Sequence, residues 1–146
     1  MIERFVAYPE SAKVISHGET RVTVLLRGGL QVDLRVVEPA AYGAALLYFT
    51  GSKAHNVELR QIAQDRHYKL NEYGLYRDTR RIAGKTEADV YAKLGLDWIP
   101  PELREARGEL AQAREHRLPS LVSLEQIKGD LQMHTTASDG EASLEE

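Results

Sequence analysis

The 146-residue sequence lacks cysteine, has only 7% aromatic residues and contains no long apolar run. The lack of cysteine excludes a disulfide-stapled scaffold. No run approaches the roughly 20 apolar residues that a membrane span needs, so no membrane partner is expected. Residues 1–4 do not begin a signal peptide. We therefore expect a soluble, cytoplasmic protein.

The residues that are present have the composition of a globular protein. Apolar residues make up 42% and charged residues 28% of the chain, close to globular averages, which excludes a disordered tail. No internal repeat or low-complexity tract is visible. This length predicts one or two small domains.

The net charge of -3 is unevenly distributed along the chain. Residues 53–85 contain eight basic and four acidic residues, whereas the remainder contains 11 basic and 18 acidic residues. A basic segment in an acidic chain is what contact with a phosphate backbone requires. An ordinary solvated surface is the alternative explanation.

Apolar and polar residues alternate through the first third of the chain, the pattern typical of half-buried strands. The pattern predicts an antiparallel meander over residues 14–15, 21–27 and 30–37, with a tight turn at Gly28-Gly29. The third strand is predicted to bury Leu30, Val32, Leu34 and Val36. Its opposite face carries Gln31, Asp33 and Arg35.

Helical periodicity follows the predicted strands. It predicts helices over residues 40–48, 53–66, 87–94 and 102–117. Ser52 is a predicted N-cap of the second helix, and Thr86 with Asp89 forms a capping box for the third. Residues 68–77 are predicted to be extended, with a turn near Asp78. The chain is therefore predicted to have an α+β fold with an antiparallel sheet.

Asp33 is the first candidate for chemistry. A carboxylate between Val32 and Leu34 stands on a rigid strand, from which it can present oxygen atoms to a metal ion. The alternative is an exposed strand residue paired with Arg35 or Arg21. A single carboxylate does not make a two-metal site, which needs several oxygen ligands.

Four motifs occur in order: Val32-Asp33-Leu34-Arg35, the segment Tyr48 to Ser52, the pair Asn56 and Arg60, and Asn71-Glu72-Tyr73. Together they closely resemble the palm and thumb of family X DNA polymerases, the polymerase beta-like nucleotidyltransferases. The resemblance extends over residues 1 to about 105. It implies an incomplete nucleotidyltransferase palm followed by a helical thumb with a small sheet and a charged linker helix.

The resemblance assigns roles to individual residues. Asp33 would be a catalytic carboxylate that binds Mg²⁺ or Mn²⁺ and activates the primer hydroxyl, with Arg35 as a second catalytic residue. The incoming deoxynucleoside triphosphate would be bound by Tyr48, Phe49, Gly51, Ser52 and Asn56. Arg60 and Lys53 would contact DNA. Family members have a non-proline cis peptide that would here join Gly51 to Ser52.

The resemblance also implies a conformational switch made of Arg35, Glu72 and Tyr73. In the family the matching arginine leaves a catalytic carboxylate for the glutamate and tyrosine when the thumb closes, which frees that carboxylate for metal. The alternative is a static salt bridge between Arg35 and Glu72. Gln31 departs from the family pattern, because better known members often have arginine there.

Residues 129–140 resemble the opening motif of the PHP metal-dependent phosphoesterases. His134 and Asp139 would then be metal ligands, with Zn²⁺ or Mn²⁺ in a complete domain. Gln132 stands where the motif has its first histidine, and an amide is a weaker ligand. The alternative is that these residues belong to an unstructured tail.

The resemblance divides the chain into four parts. Residues 1–38 would be the C-terminal part of the palm, 39–99 the thumb, 100–128 an interdomain linker and 129–146 the start of a PHP domain. No Asp precedes Asp33, so the family's upstream Asp-x-Asp pair is missing. The chain is therefore expected to be a polymerase fragment that is inactive alone.

The leading hypothesis is a DNA-directed DNA polymerase that fills short gaps in DNA repair, with gapped or primer-template DNA as its partner. One alternative is a noncatalytic module on the nucleotidyltransferase scaffold that binds nucleic acid or protein. Another is a protein whose main activity is the PHP phosphoesterase, acting as a 3′-5′ exonuclease.

Overall fold

A computed structural model describes residues 1–129 and 131–143 and confirms the α+β class. Two three-stranded antiparallel sheets alternate with helices along the chain. The helices are α1 (Ile2–Val6), α2 (Tyr42–Thr50), α3 (Lys53–Asp65), α4 (Glu87–Lys93) and α5 (Glu109–Arg114). The strands are β1 (Ser11–His17), β2 (Arg21–Leu26), β3 (Gln31–Arg35), β4 (Lys69–Asn71), β5 (Gly74–Arg77) and β6 (Arg80–Ala83). Short 3₁₀ turns cover Pro39–Ala41, Pro101–Leu103 and Leu124–Gln126.

The first sheet is the predicted meander, in the order β1-β2-β3. Thr23 pairs with Asp33 across the β2-β3 ladder, and Gly29 takes the left-handed conformation in the turn (φ 83°). The centre of β2 is buried on both faces, so polar Thr23 is buried between Val22 and Val24. Leu30 was predicted to be buried but is 64% exposed, because it lies in the turn before β3 begins.

The second sheet and the helices α2 to α5 form a helical body over residues 39–114. Its core is a cluster of buried apolar side chains from α2, α3, β5, β6, α4 and α5. The largest members are Leu47, Leu59, Leu75, Tyr91, Leu94 and Ile99. These side chains come from elements far apart in sequence, so the helical body is packed around a shared core.

The ends of the helices follow the predicted caps. The Ser52 hydroxyl accepts a hydrogen bond from the backbone N–H of His55 at 3.1 Å. Thr86 and Asp89 form the predicted reciprocal capping box. Asp78 turns the chain in the left-handed conformation (φ 53°) and leads into β6, a strand that the sequence pattern did not predict.

The single helix predicted over residues 102–117 is wrong. Residues 101–103 form a 3₁₀ turn, and α5 begins only after Gly108, which takes a positive φ of 95°. Leu110 and Ala113 of α5 are buried in the core of the helical body. The narrow apolar stripe therefore docks onto the core, and a long exposed helix does not form.

No helix among residues 1–129 and 131–143 is long and apolar enough to cross a membrane. Asp130 and residues 144–146, which belong to the predicted PHP start, lie outside the described residues.

The crossing of α2 and the start of α4 depends on Gly43. A Cβ atom at this position would lie 2.1 Å from the backbone carbon of Thr86, a distance that requires backbone movement. We expect Gly43→Ala to destabilise the protein by about 3 kcal/mol, the upper end of overpacking costs. Urea unfolding measures the change. Gly28→Ala is the control, because a Cβ there meets nothing within 4 Å; equal stability losses in the two variants would contradict the close crossing.

Candidate functional site

The corner between α2 and α3 contains the predicted nucleotide-binding residues. The rings of Tyr48 and Phe49 meet edge to face, with centroids 4.9 Å apart. The side-chain amide of Asn56 donates to the carbonyl of Tyr48 at 2.9 Å and to that of Gly51 at 3.4 Å. Asn56, one turn into α3, therefore fixes the backbone of the corner that precedes the helix.

The peptide that joins Gly51 to Ser52 does not have the expected cis form. No cis peptide bond occurs in the described part of the chain. Gly51 has an ordinary extended conformation (φ −82°, ψ 151°), which leads directly into the N-cap of α3. The expectation taken from the resemblance is therefore wrong for this structure.

Lys53, Asn56 and Arg60 line one open cleft beside the corner. Arg60 follows Asn56 by one helical turn, and its guanidinium lies 5.5 Å from the centre of the Tyr48 ring. The cleft has a volume of about 410 Å³ and is lined by Tyr48, Gly51, Lys53, Asn56, Val57 and Arg60. The structure thus brings together most of the residues predicted to contact nucleotide and DNA.

Arg35, Glu72 and Tyr73 also lie around one pocket, of about 210 Å³, together with Phe49. The Arg35 guanidinium lies 5.3 Å from the centre of the Phe49 ring. Among the described residues no ion pair joins Arg35 to Glu72. The static salt bridge is therefore not formed here.

Asp33 lies on the exposed face of β3 and is held by hydrogen bonds. It accepts from the Thr23 hydroxyl at 2.5 Å, and from Gln31 and Arg21 at 3.3 Å each. These bonds, with that from Thr23 the strongest, lower the pKa of Asp33. The carboxylate is thus ionised at neutral pH. The alternative prediction for Asp33 is an exposed strand residue paired with Arg35 or Arg21. One of these two contacts, that with Arg21, is present.

His134 and Asp139 contact each other near the end of the chain. The distance from Nδ1 of His134 to Oδ1 of Asp139 is 2.5 Å, and this contact lowers the pKa of Asp139. Both side chains are exposed. Residues 131–135 form no strand. Within the described ranges, no three His, Asp or Glu side chains meet in a cluster that could hold a metal ion.

A buried arginine, Arg104, packs behind the corner between α2 and α3 and is bonded to residues on both sides of Gly51. The Arg104 side chain is fully buried, and its Nη1 donates to the Thr50 hydroxyl at 2.5 Å and to Glu87 at 2.7 Å. The backbone carbonyl of Arg104 accepts from the N–H of Ser52 at 3.0 Å. Sequence reasoning missed this residue, because nothing local marks one arginine of a charged segment as buried.

The charge of Arg104 is balanced by Glu87. Burial tends to raise the pKa of Glu87, but hydrogen bonds from Arg104 and from Trp98 outweigh it, so the pKa is lowered. The Arg104 guanidinium also lies over the rings of Tyr91 and Trp98, at 5.7 and 6.0 Å. Arg104 and Glu87 therefore form one largely buried ion pair beside the corner.

A second buried polar group lies under the first turn of α3. His55 Nδ1 is 2.7 Å from Glu109 Oε1, and His55 Nε2 is 3.0 Å from the Tyr91 hydroxyl. Burial opposes charge on Glu109, but the contact with His55 and backbone N–H donors hold its pKa below the ordinary value. Burial raises the pKa of Tyr91, so its hydroxyl stays protonated.

Comparison with known proteins connects this geometry to a family. The family model for the DNA polymerase beta thumb matches residues 45–105. The DNA polymerase/3′-5′ exonuclease PolX of Bacillus subtilis is 40% identical over 99% of this chain and 26% of its own length. Human DNA-directed DNA/RNA polymerase mu is 35% identical over 53% of this chain and 16% of its own length.

Comparison with solved structures also finds similarity to polymerase beta. The ternary P/T complex of Leishmania infantum polymerase beta matches with a TM-score of 0.58 and 27% identity, over 71% of this chain and 50% of that one. These matches define a polymerase beta-like nucleotidyltransferase fold. The chain is therefore similar to the family X DNA polymerases, and residues 45–105 to the polymerase beta thumb. It spans about a quarter of the length of the Bacillus subtilis relative.

The lowered pKa of Glu109 predicts a stability that depends on pH. A carboxyl whose pKa is lower in the folded state stabilises the fold above its unfolded pKa, near 4.5, and loses that contribution as the pH falls through its folded value. We expect Glu109→Gln to be less stable than the wild type at pH 7, but to lose less stability between about pH 6 and about pH 3. Urea unfolding at several pH values measures both. Parallel pH profiles would contradict the lowered pKa.

Proposed function

We propose that residues 1–38 complete the palm and residues 39–99 form the thumb of a DNA polymerase that fills short gaps during DNA repair. The observation that carries this proposal is the cleft beside Tyr48, where Asn56 and Arg60 line one wall. The complete enzyme would join a primer 3′-hydroxyl to the α-phosphate of a deoxynucleoside triphosphate and release pyrophosphate. Its partner would be gapped or primer-template DNA in the cytoplasm of a prokaryote.

Asp33 is the proposed metal ligand of the polymerase site. Its carboxylate is ionised and reaches solvent, and carboxylate oxygen is the ligand type that Mg²⁺ or Mn²⁺ prefers. Lewis-acid activation of the primer hydroxyl is the chemistry that such an ion supplies. The further ligands that a two-metal site needs do not meet Asp33 among the described residues. We therefore propose that the chain alone does not polymerise.

The cleft beside the corner would test the incoming base pair. The aromatic pair Tyr48 and Phe49 would pack against the sugar, and Gly51 and Ser52 would complete this wall. Asn56 would release its bonds to the carbonyls of Tyr48 and Gly51 and donate instead to the minor-groove edge of the incoming base, and Arg60 would reach the template strand. Hydrogen-bond acceptors occupy similar minor-groove positions in every correct pair, so these two side chains can test pair shape without reading sequence.

Arg35 would act with Glu72 and Tyr73 as the switch that accompanies thumb closure. All three line one pocket, and Arg35 is free of an ion pair to Glu72 among the described residues. When the thumb closes, Arg35 would leave a catalytic carboxylate for Glu72 and Tyr73, which would free that carboxylate for metal. This assignment depends on the polymerase function.

A second activity is proposed for the segment after residue 128. The Bacillus subtilis relative is named as a polymerase and a 3′-5′ exonuclease, and it matches 99% of this chain. His134 and Asp139 lie in contact and would provide two ligands for Zn²⁺ or Mn²⁺ in a complete PHP domain. Residues 100–128 would link this domain to the thumb. An exonuclease assay on the complete protein, before and after His134→Ala, tests this assignment.

Replacing Asp33 tests the metal role. Asp33→Asn keeps the size of the side chain and can still accept from Thr23, so we expect a stability change of only about 0.5 kcal/mol. Gap filling by the complete enzyme with Mg²⁺ should fall about 100-fold or more, because a metal-binding charge is lost. Melting temperature and single-nucleotide gap filling measure the two effects. Near-normal gap filling together with near-normal melting would show that Asp33 is an ordinary strand residue and would overturn the proposed mechanism.

Replacing Arg60 tests the base-pair role. Arg60→Ala removes the guanidinium from the cleft, and we expect correct insertion to fall about tenfold while DNA affinity changes much less. Single-turnover insertion and DNA titration measure the two quantities. Arg80→Ala, which removes the same charge from the exposed start of β6, is the control and should keep normal insertion. An unchanged insertion rate in Arg60→Ala would refute the role.

A further inference from the structure

The segment that follows the matched thumb is bound to the helix that carries Asn56. The thumb match ends at residue 105, and Glu109 lies beyond it. Glu109 nevertheless contacts His55, the residue immediately before Asn56, at 2.7 Å. Both side chains are almost completely buried. A buried contact between charged or polar groups is sensitive to geometry, because water cannot replace a lost partner.

The Glu109 carboxylate is itself held by backbone N–H groups of the preceding loop. Its Oε1 accepts from the N–H of Ala106 at 2.9 Å, and its Oε2 accepts from the N–H of Arg107 at 2.7 Å. The loop over residues 104–108 is thereby closed around the carboxylate. A group held on both oxygens offers His55 a partner in one defined position.

The first turn of α3 needs such support. The first N–H groups of a helix have no partner within the helix, so this turn tends to fray. Here Ser52 caps the turn and donates its own N–H to the carbonyl of Arg104, while His55 is held by Glu109. Two bonds from residues 104–109 therefore hold the turn from which Asn56 reaches the corner.

We infer that Glu109 is a positioning residue for the nucleotide site: through His55 it fixes the first turn of α3 and so the direction of Asn56. The inference rests on the proposed polymerase function for its effect on substrate. The binding site for the incoming nucleotide is then completed by residues after the thumb. Glu109 does not touch the substrate and acts only through α3.

The competing explanation is that Glu109 merely stabilises the core. A matched control separates the two, because the next residue, Leu110, is also buried in α5 but packs on the apolar core. Glu109→Ala and Leu110→Ala should both lower stability. Only Glu109→Ala should alter the corner selectively.

The first measurement uses the 146-residue chain and does not depend on catalysis. Amide hydrogen exchange compares the Asn56 N–H, bonded to Ser52, with the Leu94 N–H, bonded at the end of α4. We expect exchange at Asn56 to accelerate about tenfold more than at Leu94 in Glu109→Ala. The two amides should accelerate equally in Leu110→Ala. If Glu109→Ala does not fold, the acceleration of exchange at Asn56 relative to that at Leu94 is measured in Glu109→Gln instead. Equal acceleration at the two amides would overturn the inference.

The second measurement uses the complete enzyme. We expect Glu109→Ala to raise KM for the correct deoxynucleoside triphosphate about tenfold, with a smaller change in kcat. In Glu109→Gln the KM should lie between the values of Glu109→Ala and the wild type. Leu110→Ala should keep the wild-type KM. An unchanged KM in Glu109→Ala would overturn the positioning role. A wild-type enzyme that inserts no nucleotide would instead overturn the proposed function, and this is seen before any variant is measured.

Discussion

The burial of a guanidinium behind the Tyr48–Ser52 corner is the constraint on which the site depends. Removing the Arg104 charge from water is costly unless a counter-ion and hydrogen-bond acceptors surround it. Glu87, the Thr50 hydroxyl and the carbonyl of Ile99 supply these partners. Each partner belongs to a different element, so the charge can be accommodated only when α2, α4 and the segment after α4 take up one arrangement.

This constraint explains how a connection between two helices is held in one arrangement. Thr50 is bonded to Arg104 through its side chain and Ser52 through its backbone, one on each side of Gly51. Asn56 adds a third attachment from within α3. A connection attached at three points presents its aromatic rings in a defined direction.

The sequence predicted the parts of the fold that rest on local patterns. Alternation identified the first sheet, and the caps at Ser52 and Thr86 located two helix starts. The long helix over residues 102–117 was wrong, because tertiary packing and Gly108 overrode its periodicity. The cleft residues were identified by resemblance. The supporting pairs were missed: His55 and Glu109, like Thr50 and Arg104, are 54 residues apart, and no local pattern relates them.

The docking of α5 has a consequence for exchanging parts between relatives. Family boundaries suggest a thumb that ends near residue 105, yet Leu110 and Ala113 fill its core and Glu109 satisfies His55. A chimaera joined at residue 105 would pair this α3 with a foreign partner for a buried histidine. The unit that can be transplanted intact therefore extends through Arg114, where α5 ends.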